Sequence, residues 1–288
     1  MTATIESLLK NYNPKSKSDY ENAIQEIMQE IALLGMWRAK FFDHAAFYGG
    51  TALRILHGLE RFSEDLDFSL LAPDPAFNLV PYLKAIEEEL ELSGLAVSVE
   101  HRIKHPEESI RSAFLKTGTL ETFIRIGLDE PLKKHTQSNE VIKIKLEIDI
   151  DPPPGFTTEI RYLSKPIPFS VRTYVPEDLF AGKMHELLCR PYKVRVKGRD
   201  WYDFIWYVAK GFPLHLAHLE ARMRQSGHYS PEAPLTKNTF DHLLREKIQG
   251  LKLDNAKEDI RRFIRDPREI EGWSPEFFLS LLPKIQFK

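Results

Sequence analysis

The sequence predicts an α+β protein: an N-terminal lobe built on a mixed β-sheet with flanking helices, followed by an all-α C-terminal lobe. Three observations carry this. Up to about residue 151, segments of period two alternate with segments of helical period and then replace them. Pro152-Pro153-Pro154-Gly155 ends the last strand-like segment abruptly, and from Pro176 onward the apolar spacing is helical to the last residue. The charge changes with the period: residues 1–100 hold 8 Lys/Arg against 16 Asp/Glu, and residues 161–288 hold 23 against 16. Such asymmetry suits two lobes with different tasks, although ordinary surface charge also fluctuates this much. The lobes are expected to span 1–173 and 174–288, with the cleft between them as the default place for a ligand.

The elements follow in order. Residues 18–40 open with a helix, because Ile24, Ile27, Met28, Ile31 and Leu34 recur at helical spacing. Ala45–Tyr48 is a short apolar strand, and residues 51–59 form a helix whose start abuts Gly49-Gly50. Residues 65–71 are an acidic strand broken by Pro73 and Pro75. Residues 78–92 are amphipathic through Leu79, Leu83, Ile86 and Leu90. Residues 95–103, 109–115, 121–127 and 141–150 alternate or are rich in β-branched residues, and each is expected to be a strand. Six helices are then expected: 177–190, 200–209, 214–225, 239–249, 256–264 and 275–282. The segment around 227–234 is expected to be a loop.

Composition excludes several classes. Apolar residues make up 42% and charged residues 28% of 288, the balance of a globular protein, with a net charge of −2. The one cysteine, Cys189, is read as excluding both an internal disulfide and a cysteine-based zinc site. No zinc site is expected from the ten histidines. No run of about 18 apolar residues is present, and the first residues lack a basic-then-apolar leader pattern; a cytoplasmic location is expected.

The chemistry concentrates in Phe47-Tyr48-Gly49-Gly50-Thr51-Ala52-Leu53-Arg54 and Arg61-Phe62-Ser63-Glu64-Asp65-Leu66-Asp67-Phe68. Residues i and i+2 of a strand share a face, so Asp65 and Asp67 project side by side. Adjacent carboxylates repel unless a cation lies between them. Mg²⁺ takes one or two carboxylates and completes its sphere with water and substrate phosphate. Gly49 and Gly50 let backbone N–H groups approach a phosphate closely, at a helix N-terminus that favours anions. This is the layout of a metal-dependent nucleotidyl- or phosphoryl-transfer site.

Gly-Gly, a short helix and Asp-x-Asp on the next strand resemble the nucleotidyltransferase superfamily of polymerase-beta type. The fuller string GGTALR…RFSEDLDF resembles its AbiEii/AbiGii toxin branch. The N-terminal lobe is then a nucleotidyltransferase-type mixed sheet. The resemblance implies an enzyme that moves an NMP from an NTP to an acceptor, with Mg²⁺ (Mn²⁺ as the alternative), an RNA or tRNA acceptor and a cognate antitoxin encoded nearby. Four motifs in the family's order, from Gly49 to Asp203, carry it.

The family's second motif matches Lys145 and Glu147, on the most strongly alternating segment. Lys143, Lys145, Glu147, Asp149 and Asp151 share one face, and Ile142, Ile144, Leu146, Ile148 and Ile150 the other. Glu147 is a candidate third metal ligand or the base on the acceptor hydroxyl; Asp149 competes, and a merely solvated face is the bland alternative. Lys183 sits at the margin of an apolar helix stripe, either snorkelling or, as the family's lysine does, gripping nucleotide phosphates. Arg199-Asp200-Trp201-Tyr202-Asp203 resembles the family's Arg-Asp-x-x-Asp motif. Asp200 is also a plausible helix cap, whereas Asp203 lies in a largely apolar helix and needs a partner, Lys183 or Arg199. Asp203 is a second candidate base. Arg54 and Arg61 are placed to bind phosphate or to pair with Glu60 or Asp65. Ser63 is a candidate cap of its turn. Arg61 and Ser63 complete the candidate nucleotide-binding set with Gly49, Gly50, Thr51 and Lys183.

Lys193, Arg195, Lys197 and Arg199, spaced two apart, would line one face in extended form and could track a polyanion or form a solvated edge. Two rivals stand beside the toxin reading: transfer to a small molecule or a protein hydroxyl, and a non-catalytic module that holds nucleotide or RNA.

Overall fold

In a computed structural model, residues 5–102, 109–125, 127, 133–134, 136–191, 196–230 and 232–288 are described. The N-terminal part contains α1 (Ile5–Leu9), α2 (Lys17–Arg38), β1 (Ala45–Tyr48), α3 (Gly49–His57), β2 (Leu66–Leu70), α4 (Val80–Leu92), β3 (Ser98–Arg102), β4 (Ile110–Gly118), α5 (Thr119–Arg125), β5 (Val141–Asp149), β6 (Thr158–Leu163) and β7 (Phe169–Tyr174). The C-terminal part is helical: α6 (Pro176–Cys189), α7 (Gly198–Lys210), α8 (Leu216–Gln225), α9 (Lys237–Gln249), α10 (Leu253–Arg261) and α11 (Pro275–Leu281).

The strands form one seven-stranded sheet in the order β3-β4-β5-β2-β1-β7-β6. Acidic β2 lies between β1, antiparallel to it, and β5, parallel to it. The inner face of β5 (Ile142, Ile144, Leu146, Ile148) is buried against the helices, as its alternation requires. Phe41, Phe47 and Phe68 fill the core beside β1 and β2. The α2 helix starts on a capping box, in which Ser16 Oγ accepts from Asp19 N–H and the Asp19 carboxylate accepts from Ser16 N–H. It crosses α4 at Gly35, where an added Cβ would stand 2.8 Å from Ala85 O.

Two expectations are corrected. Residues 119–125 are a helix rather than the strand expected at 121–127: Glu121 and Arg125 pair at 2.9 Å across one turn, and Phe123 is fully buried on the other side. Strands β6 and β7 were not foreseen; β7 adds beside β1, with Thr173 Oγ1 donating to Phe47 O at 2.8 Å.

The chain divides into two compact units: Met1–His57, Ser63–Pro152 and Ile160–Thr173 in the first, and Gly58–Phe62, Pro153–Glu159 and Tyr174–Lys288 in the second. The short excursions join the second unit because their residues bond there. Phe62 N–H donates to Phe263 O at 2.8 Å, and Thr157 N–H donates to Asp178 Oδ2 at 2.6 Å.

Candidate active site

In the first unit, β1 runs directly into α3, so Gly49, Gly50 and Thr51 form the first turn of that helix. Gly49 has φ +80°, in the left-handed region, and an added Cβ would stand 2.5 Å from Asp67 Oδ2. The Asp67 carboxylate therefore packs on the backbone of the turn, and only glycine accommodates both the angle and the approach. Thr51 is buried, and its hydroxyl donates to Asp65 O. This ties the turn to the entry of β2, and Thr51's part in any phosphate cradle falls to its N–H.

Register brings the carboxylates together. Tyr48 pairs with Asp67 across β1 and β2, and Asp67 pairs with Glu147 across β2 and β5. Directly paired residues of adjacent strands share a face, so Asp67 and Glu147 stand side by side, with Asp65 just ahead of β2. All three are partly exposed. Asp149 pairs with Ser69, one same-face position further along, and its carboxylate accepts from Asp151 N–H at 3.0 Å. The competition therefore favours Glu147 as the neighbour of Asp67. Lys145 Nζ lies 2.6 Å from Glu147 Oε1, a contact a cation would have to displace. Half-exposed oxygen donors on one face beside a cradle of backbone N–H groups fit a hard divalent ion. Ser63 is partly exposed, and its carbonyl accepts from Gln29 Nε2 at 3.0 Å. Arg54 pairs with Glu26 at 2.8 Å.

In the second unit, the remaining candidates form a closed ion network. Arg61 grips Asp203 with two parallel bonds, Nε to Oδ1 and Nη2 to Oδ2, both 2.6 Å; the residues are 2% and 0% exposed. Its Nη1 donates to Phe62 O at 2.9 Å. All three Arg61 nitrogens are thus bonded, to a buried carboxylate and a carbonyl, and both Asp203 oxygens are held by cations. Lys183 Nζ lies 3.1 Å from Asp203 Oδ2, so one of Asp203's two expected partners is found. The other, Arg199, stacks 4.2 Å over the Phe263 ring.

Lys183 also bonds Glu186 at 2.7 Å and Asp200 at 3.3 Å, and Arg190 completes the set on Asp200 at 2.5 Å. Asp200 is therefore an ion-pair member and not a side-chain cap. Burial alone would lower the Lys183 pKa, but Glu186, Asp203 and Asp200 outweigh it and hold the ammonium well above the ordinary lysine value. Burial would raise Glu186, yet Lys183 and Arg190 pull it far below the usual carboxylate range. The sequence reading passed over Glu186 and Arg190, although Glu186 lies three residues after Lys183 on one helix, a spacing that brings side chains together. In the basic row, Lys193 and Arg195 lie outside the described residues, and Lys197 is partly buried at the start of α7.

Two Helicobacter pylori structures resemble the fold. One, described as a candidate nucleotidyltransferase, has TM-score 0.51 and 16% identity over 90% of this chain and 92% of its own. The other, JHP933, has TM-score 0.50 and 16% identity over 91% and 90%. No curated protein matches. Among the described residues, no helix is long and apolar enough to cross a membrane. The model of the family "Nucleotidyl transferase AbiEii toxin, Type IV TA system" matches residues 31–279. That span takes in the Gly-Gly turn, the Asp-x-Asp strand, Glu147, Lys183 and Asp203, and the chain therefore belongs to the AbiEii nucleotidyl transferase toxin family.

Proposed function

We propose that this toxin transfers a nucleoside monophosphate from an NTP to RNA, with tRNA as the class the resemblance favours, in a Mg²⁺-dependent reaction in the cytoplasm. The observation that carries the reading is the register that sets Asp67 beside Glu147 while the Asp67 carboxylate packs on Gly49. Asp65 and Asp67 would hold the metal, with Glu147 as its third ligand or as the base. When bound, the metal neutralises charge that builds between the α-phosphorus and the departing pyrophosphate. The first-turn N–H groups of Gly49, Gly50 and Thr51 receive phosphate oxygens. An acceptor hydroxyl attacks the α-phosphorus, the bond to the pyrophosphate oxygen breaks, and the hydroxyl proton passes to a carboxylate, for which Glu147 is the better-exposed candidate. Lys183 would grip the triphosphate by exchanging Glu186, the most exposed of its three carboxylates at 35%, for a phosphate oxygen. The basic row from Lys193 to Arg199 supports a polyanionic acceptor.

The test is incubation with each labelled NTP, Mg²⁺ and total RNA. Wild type should label RNA and release pyrophosphate. Asp65→Ala or Asp67→Ala should abolish labelling while leaving the thermal melt in place. Lys183→Ala should raise KM for NTP and cut turnover, and Lys183→Arg should recover little. Full labelling by both aspartate variants would overturn the assignment. Labelling of protein or of small molecules, with RNA untouched, would replace the acceptor.

A further inference from the structure

We propose that His185, Cys189 and His228 form a binding site for a soft divalent metal ion, Zn²⁺, in the second unit and built on different residues from the carboxylate site. One ligand atom from each, an imidazole nitrogen or Sγ, lies within 4.8 Å of the other two. His185 and Cys189 are four residues apart on α6, so they share one face of the helix. His228 arrives from the turn after α8. Gly227 takes φ +72°, and His228 N–H donates to Met223 O at 2.8 Å, which folds the chain back toward α6.

The two rings are already oriented. His185 Nε2 lies 2.8 Å and His228 Nδ1 3.0 Å from the same hydroxyl, Ser226 Oγ. The one hydrogen of that hydroxyl goes to Met223 O at 3.2 Å, so its oxygen accepts N–H from both rings, and each ring keeps its second nitrogen unprotonated for a metal. A hydrogen bond to the non-ligating nitrogen is what orients metal-bound histidines elsewhere. Two nitrogens and one sulfur favour zinc over Mg²⁺, which wants oxygen. With Zn–N of about 2.0–2.1 Å and Zn–S of about 2.3 Å, tetrahedral donors stand roughly 3.4–3.6 Å apart. The trio closes on an ion by small side-chain rotations, mostly of His228, which is exposed. The fourth position opens on a cavity of about 380 Å³ lined by Cys189, Met223, His228, Leu243, Glu246 and Lys247. Water can complete the tetrahedron there. On ligation the S–H bond breaks, the metal–sulfur bond forms and the proton leaves to solvent.

The count of one cysteine was the ground for excluding a cysteine-based zinc site, and the mixed His-x-x-x-Cys pair of α6 is the signal that such a count passes over. The chain's one cysteine makes the test unambiguous. The full-length protein is stripped with a chelator and titrated with Co²⁺ under excess Mg²⁺. Expected is one equivalent that raises a thiolate-to-cobalt charge-transfer band in the near ultraviolet and visible bands of tetrahedral intensity, both removed by Zn²⁺. Cys189→Ser should abolish the charge-transfer band. His228→Ala, at an exposed position, should keep the fold and weaken Co²⁺ binding on the order of 10-fold or more. Asp67→Asn should leave the band unchanged. The proposal is overturned by absence of the band in wild type, by its survival in Cys189→Ser, or by wild-type titration of His228→Ala.

Discussion

Gly49 shows how one residue ties conformation to chemistry. Gly49→Ala forces a left-handed angle on a Cβ and drives that Cβ toward Asp67 Oδ2, 2.5 Å away. The angle costs about 1–2 kcal/mol, and the displaced carboxylate no longer sits beside Glu147. The variant should lose most nucleotidyl transfer while its melting temperature falls by only a few degrees; undiminished NMP incorporation would show that the close approach is dispensable. Glu30 tests pH instead. It is 9% exposed, and its carboxyl is pushed up from 4.5 to about 7 by burial, with Glu26 adding and Lys165 and Arg54 opposing. A raised acid binds its proton more tightly in the folded chain, so its stability advantage is complete below pH 4.5 and is lost as pH rises to about 7. Glu30→Gln should remove that decline and stabilise the protein at pH 8 by at most roughly 3 kcal/mol. Urea midpoints at pH 5 and pH 8 measure it, and an unchanged difference between them would exonerate Glu30. At this scale the sequence was legible wherever the pattern is local. Asp65, Asp67 and the Gly-Gly turn announce themselves within twenty residues. The partner of Arg61 does not, because Asp203 is 142 residues away and no neighbouring residue encodes it.

At the scale of elements, α7 is held by contacts that only its small first residue allows. A Cβ on Gly198 would stand 1.9 Å from Ala256 O of α10, and Gly198 N–H donates to Asp259 Oδ2 at 3.0 Å. That crossing fixes where α7 presents Asp200 and Asp203 to α6. Removing one partner of a buried pair leaves an uncompensated charge, so Asp203→Leu should cost about 3–5 kcal/mol. Arg61→Met should cost a similar amount, and the double variant much less than the sum. A urea double-mutant cycle gives the coupling; strictly additive losses would mean that Arg61 and Asp203 stabilise the unit independently. The expected helices were readable from their apolar periods to within a turn. Short α1 was not foreseen, and α5 was expected as a strand because Thr122, Phe123, Ile124 and Ile126 carry β propensity; there the choice was made by tertiary burial of Phe123.

For the whole molecule, the change of period near residue 174 lies where the long helical run of the second unit begins, whereas the short excursions carry no such signal. The chain passes between units at residues 57/58, 62/63, 152/153, 159/160 and 173/174. A cut at 173/174 therefore separates Arg61 from Asp203. The fragment 174–288 should be much less stable than the same unit in the full chain, read as an early, broad thermal transition by circular dichroism. Supplying Gly58–Phe62 through a linker should restore part of the loss. A fragment that melts cooperatively near the full-length temperature would show that the Arg61 excursion contributes little.

The same excursion sets an order of events during synthesis. Asp203 follows Arg61 by 142 residues, and at about 5–20 residues per second the guanidinium waits roughly 7–28 s for its carboxylate. Lys183 meets Asp200 and Asp203 within the last second or few of that interval. The helical unit therefore cannot finish its buried ion network while the first unit is emerging from the ribosome, and completion of that network is a late event in the birth of the toxin.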